Sequence, residues 1–138
     1  MVPYVVENVE SPSACRHMGT HVVLCGCMWE ELQVLRPRIF ASNFPLPPVP
    51  HDKRLHRDWS YGTWVKSGPG RPLAPGQRQL FDVSGTFVSG RAPLADFYAA
   101  MGYPQLTAIG WDGLKNSVPA PFVEWAARAL IDVATRRC

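Results

Sequence analysis

The sequence predicts an α/β fold: part of an open sheet, then a loop-rich insertion with some β structure, then helices. Three features predict it. Short β-branched apolar runs fill residues 1–42, proline and glycine crowd the stretch 43–90, and apolar residues recur at helical spacing over 91–138. The last part is expected to be a helical segment that returns to the first.

The elements follow in order. Tyr4-Val5-Val6 is a short apolar run with two β-branched valines, the pattern of a strand covered on both faces in a parallel sheet. The strand runs straight into Glu7, Asn8 and Val9, and Glu10 to Ser13 reads as a turn. His21 to Cys25 is a second strand, closed by Gly26. A third candidate runs from Gln33 to Ser42, where Arg36 and Arg38 alternate onto one face and Pro37 suits an edge position or the start of a strand. From Asn43 the run FPLPPVP excludes helix, because proline lacks the donor and restricts its predecessor. Within this insertion the alternation from Phe81 to Val88 predicts a strand. Leu94, Phe97, Tyr98 and Met101 then mark a helix that begins at Pro93 and stops at Gly102. Pro119 to Arg137 predicts the longest helix, with Phe122, Trp125, Ala126, Ala129, Leu130 and Val133 in one stripe. Opposite them, Glu124 with Arg128 and Asp132 with Arg136 are spaced for pairing.

Composition narrows the function classes. Hydrophobic residues make up 46% of 138, ordinary for a folded chain. No apolar run reaches the ~20 residues of a membrane helix, and the opening MVPYVVENVE lacks the basic leader and apolar core of a signal peptide, so a cytoplasmic protein is expected. A net charge of +3 does not by itself announce nucleic acid. The basic residues cluster, however: His51, Lys53, Arg54, His56 and Arg57 follow the proline-rich run. Trp59, Tyr61 and Trp64 lie just beyond, so this stretch could line phosphates and bases or be a solvated loop. Cysteines stand at 15, 25, 27 and 138, with His17 and His21 nearby. Zinc sites of the common kinds pair one Cys-x2-4-Cys with a matching distal pair, which is missing here, so the reading is reduced thiols and no metal.

Glu7 directly follows a strand, where open α/β sheets place ligands at the strands' carboxyl ends. A carboxyl there could bond or exchange a proton with a base-like ring, or it could cap a loop. Its company is more specific. In order along the chain stand PYVVENV, LCGCMW, QVLRPRIFASNFPL, AAMGYP and KNSVPAPF. This series resembles the DNA cytosine-5 methyltransferases, especially those of phages. The resemblance implies a partial Rossmann-like methyltransferase sheet, with residues 43–90 as a small loop-rich, partly β target-recognition insertion. It implies that Glu7, in the Glu-Asn-Val phrase, holds the cytosine ring and assists its activation. In the arginine motif, usually Gln-x-Arg-x-Arg, Arg38 would bond the base and Arg36 would brace the site; Val34 stands in the glutamine place and Gln33 one residue early. Asn116, Ser117 and Val118 resemble the Gly-Asn-Ser-Val motif beside the S-adenosylmethionine pocket, with Lys115 in the place of its glycine. Lys53, Arg54, His56 and Arg57 fall in the region that would contact DNA.

Two family elements have no counterpart here. No cysteine follows a proline, so the nucleophile that attacks carbon 6 of an extruded cytosine is missing, and no glycine-rich turn could cradle the cofactor. Both precede the Glu-Asn-Val strand in the family's order. The expectation is a subunit of a split enzyme, inactive alone, which takes up S-adenosylmethionine and DNA with a complementing N-terminal chain or by self-association. A catalytically dead DNA-binding remnant and a non-enzymatic phage or host interaction protein are the alternatives.

Overall fold

The computed structural model describes residues 1–51, 64–66, 78–80, 94–103 and 110–136. The elements are β1 (Val5–Val9), α1 (Pro12–Met18), β2 (Val22–Leu24), a 3-10 turn (Gly26–Met28) and β3 (Arg38–Ser42), followed by β4 (Trp64–Lys66), β5 (Arg78–Leu80), α2 (Leu94–Ala100), α3 (Trp111–Asn116) and α4 (Ala120–Thr135). The expected strand at Phe81 to Val88 lies outside the described residues, as do Lys53, Arg54, His56 and Arg57. Among the described residues no helix is long and apolar enough to cross a membrane.

The architecture is α/β, but its sheet differs from the expected one. Three strands lie in the order β1-β3-β2, and β3 is antiparallel to both neighbours. β1 and β2 therefore run the same way, connected through α1, but β3 sits between them. Phe40 pairs with both Glu7 and Val22, and Arg38 with both Val9 and Leu24. The strand after Pro37 is thus central, and proline is tolerated because it precedes the ladder. Nor is β1 covered on both faces: Val6 is 48% exposed and Val9 49%. The apolar run that suggested a doubly covered strand belongs instead to a strand that, among the described residues, is paired on one side only. Asn43 extends the β1–β3 pairing by one step, its amide oxygen accepting from Tyr4 N–H and its amide nitrogen donating to the Val2 carbonyl, both at 3.0 Å. In residues 64–66 and 78–80, β4 and β5 form a parallel pair.

The core lies on the sheet face that carries Leu24 and Phe40. Leu32, Val34, Phe97, Tyr98, Ala100, Met101, Leu114 and Phe122 complete it. Aromatic rings join β3 to α4: Phe40 meets Trp125 edge-on at 5.6 Å between centroids, and Trp29 lies 4.8 Å from Phe122. The stripe of α4 turns inward through Phe122 and Ala129, while Glu124 and Arg128 sit 3.9 Å apart in water. α2 ends as its sequence anticipates. Gly102 adopts φ +79, its N–H reaches the Ala99 carbonyl, and Tyr103 N–H reaches back to Tyr98, a Schellman closure.

Two helices were not legible in advance. α1 was expected as a turn. Ser11 instead caps it, its hydroxyl accepting from Ala14 N–H at 3.1 Å, and Pro12 occupies the first turn, where its missing donor costs nothing. α3 contains Gly113 and has no side-chain cap, so little in its sequence marks it.

Candidate functional site

Glu7 lies in the middle of β1, paired with Phe40, and not beyond the strand's carboxyl end, so strand register is what brings its side chain to Arg38. Val9 is directly opposite Arg38 and Phe40 opposite Glu7, so Glu7 and Arg38 are diagonal neighbours on one face. Arg38 Nε lies 2.7 Å from Glu7 Oε1, with side chains 12% and 31% exposed. A second donor of the same guanidinium, Nη1, bonds the Pro37 carbonyl at 3.0 Å. Burial lowers the Arg38 pKa and the Glu7 charge opposes that shift.

Arg36 reaches the same place from a different backbone state. Its φ of +40 is a left-handed conformation that a non-glycine residue adopts at a cost of about 1 kcal/mol or more. This kink, before Pro37, frees Arg36 from the strand and lets Nε donate to the Ser117 carbonyl at 2.9 Å. Burial and the Arg38 charge push Arg36 down to about 10, against the pull of Glu7, so it stays protonated at neutral pH. The two guanidiniums therefore do different work. Arg38 is paired with the carboxylate, and Arg36 ties the arginine segment to the C-terminal part of the chain.

Asn116, Ser117 and Val118 form the far wall. The Ser117 carbonyl is taken by Arg36 and the Val118 carbonyl by the Tyr103 hydroxyl at 2.5 Å. Ser117 Oγ donates to the Leu114 carbonyl at 2.7 Å, and Asn116 Nδ2 donates to the Asp112 carbonyl at 2.9 Å. Tyr103 was not anticipated. Burial raises its pKa, while Ser117 and the Arg36 charge work the other way. Its signal in the sequence was only its place after the Gly102 stop. Val34, in the glutamine place, is buried with 1% exposure and belongs to the core, and Gln33 N–H bonds the Ala100 carbonyl.

Two open grooves of about 290 Å³ lie elsewhere, one lined by Trp29, Pro121, Glu124, Trp125 and Arg128, the other by Thr20, His21, Val22, Ser42, Phe44, Pro45 and Leu46. Neither is formed by Glu7, Arg36 or Arg38.

A second cluster stands at the end of β2. Cys25, Cys27 and His51 place their ligand atoms within 4.8 Å of one another. His17 and His21 take no part in this cluster; their Nδ1 atoms face the carbonyls of Ser13 and Gly19. No protein-family model, curated protein or solved structure matches this chain.

Proposed function

We propose that this chain supplies the cytosine-holding, target-recognition and C-terminal parts of a DNA cytosine-5 methyltransferase, and that it is a subunit of a split enzyme, inactive alone. The observation that supports this most is the Glu7–Arg38 pair, with Arg36 fastened 2.9 Å from the Ser117 carbonyl beside it. Three segments separated in sequence, those whose wording resembles the family, meet at one place.

In this reading Glu7 and Arg38 hold an extruded cytosine. One carboxylate oxygen of Glu7 is engaged by Arg38, and the carboxylate can still accept from the ring's N4 amino group and, when a proton is shared between them, bond N3. The guanidinium has five N–H donors, so Arg38 can bond the Glu7 oxygen and the Pro37 carbonyl and still donate to the O2 of the base. Arg36 is a positioning residue, fixing the arginine segment against the Ser117 wall. A thiolate of the complementing chain would add to carbon 6 and break the C5–C6 π bond, a proton shared between Glu7 and N3 would neutralise the charge pushed into the ring, carbon 5 would take the methyl group, and loss of the C5 proton to a base would expel the thiolate. S-adenosylmethionine supplies the electrophilic methyl group when bound. Asn116, Ser117 and Val118 border its pocket, and the glycine-rich turn that would cradle it comes from the partner. There, added strands complete a Rossmann-like sheet. Lys53, Arg54, His56 and Arg57 contact the DNA backbone.

The test is co-purification from the native source, followed by transfer of labelled methyl to DNA. A bound chain containing Pro-Cys is expected, and Glu7→Gln should lower transfer by the pair about a hundredfold or more. Methyl transfer by this chain alone would sink the split-enzyme reading; full activity of the Glu7→Gln pair would remove Glu7 from the chemistry.

A further inference from the structure

We propose that Cys25, Cys27 and His51 form a zinc site that fastens the proline-rich segment to the end of β2. This is independent of any role in methyl transfer. Two thiols and one imidazole are the ligand set zinc selects, and zinc binds them tetrahedrally. Bond lengths of ~2.3 Å to sulfur and ~2.0 Å to nitrogen put tetrahedral ligand atoms about 3.5 to 3.8 Å apart. Cys27 Sγ is 3.4 Å from His51 Nε2, and all three atoms lie within 4.8 Å. Closing the set around a metal requires movement of at most about 1 Å.

The platform is preorganised on both sides. Cys25 and Cys27 flank Gly26, whose N–H bonds the Leu35 carbonyl and whose α-carbon rests directly on the Val34 carbonyl. The Cys-Gly-Cys turn is thereby locked between β2 and the arginine segment, with both cysteines buried. His51 arrives on a stretch stiffened by Pro45, Pro47, Pro48 and Pro50, and its Leu46 and Val49 pack on the core. His51 is half-buried, and the fourth ligand of the zinc would be a water. A metal here would set where the chain leaves the sheet towards residues 52–60, the basic and aromatic stretch. The sequence concealed the site because its third ligand lies 24 residues beyond the second.

The test uses the full chain, purified anaerobically after expression with zinc. One zinc per chain is expected by elemental analysis. Cobalt(II) added to the metal-free chain should give a thiolate-to-metal charge-transfer band and the intense visible bands of tetrahedral coordination. Cys27→Ser and His51→Ala should each lose or weaken these bands and the bound zinc, while Cys15→Ser should change neither. Cys25 is fully buried, so its replacement tests folding as well as metal binding, and the wild-type spectrum and His51→Ala decide the matter. No bands in the wild type, unchanged zinc in His51→Ala, or a Cys25–Cys27 disulfide in the anaerobic chain would overturn the proposal.

Discussion

Gly26 has no room for a side chain. A Cβ built there would lie 1.6 Å from the Val34 carbonyl oxygen and 2.7 Å from its carbon, both backbone atoms that cannot step aside. Gly26→Ala is therefore expected to destabilise the chain by about 3 kcal/mol or more, read as a fall in the urea midpoint. Tyr103 bears on alkaline stability. An unfolded phenol ionises near its ordinary pH of 10.0, whereas burial holds the folded one protonated to higher pH. Above pH 10 the folded state thus binds more protons, so this residue's contribution to stability is full below that pH and declines as pH rises through the folded pKa. Arg36, lowered to about 10, acts in the opposite sense, so the comparison must isolate the phenol. Tyr103→Phe should be less stable at neutral pH by about 1 kcal/mol, and the difference should shrink in alkali. A constant difference across that range, in urea unfolding, would contradict the assignment.

Elements that carry their own punctuation were legible, and those that borrow stability were not. The proline before Leu94 and the glycine at 102 bracket α2, and the apolar stripe of α4 announces a buried helix face. α1 is a seven-residue helix, too short to be stable by itself. Its signal was the Ser-Pro pair, which reads equally as a turn. Because the Ser11 hydroxyl satisfies the Ala14 N–H, Ser11→Ala is expected to cost about 1 kcal/mol, with a loss of helical signal in circular dichroism. An unchanged unfolding midpoint would show that α1 is held by packing through Ala14 alone. The same limit applies to the candidate site. Glu7, Arg36 and Arg38 could be singled out by residue type and order, but the contact between Glu7 and Arg38 follows from which strand lies beside β1, and no local pattern specifies that.

At the scale of the molecule, β1 is paired through β3 on one side only among the described residues, and it leaves Tyr4, Val6 and Val9 about half exposed. Such an edge offers backbone donors and acceptors together with apolar side chains, which suits the addition of a further strand. α4 adds Val123 and Ile131, exposed at 51% and 58%. A complementing chain that continued the sheet would cover the β1 edge. Val6→Lys puts a charge on that edge without touching the core. Its stability should stay within about 0.5 kcal/mol of the parent, and it should lose any chain that co-purifies with the parent. Retention of that chain at parental level would place the interface elsewhere.

By itself, the sequence determined the α/β character, the helices over 94–100 and 120–135 and the identities of the charged residues, because each depends on periodicity or on capping within a few positions. Tertiary structure alone decided that β3 lies between β1 and β2, that Arg36 turns through a left-handed kink to meet Ser117, and that His51 faces two distant cysteines. Those are questions of strand order and chain return. They are settled by which surfaces bury one another, and residues far apart in sequence enter that choice together.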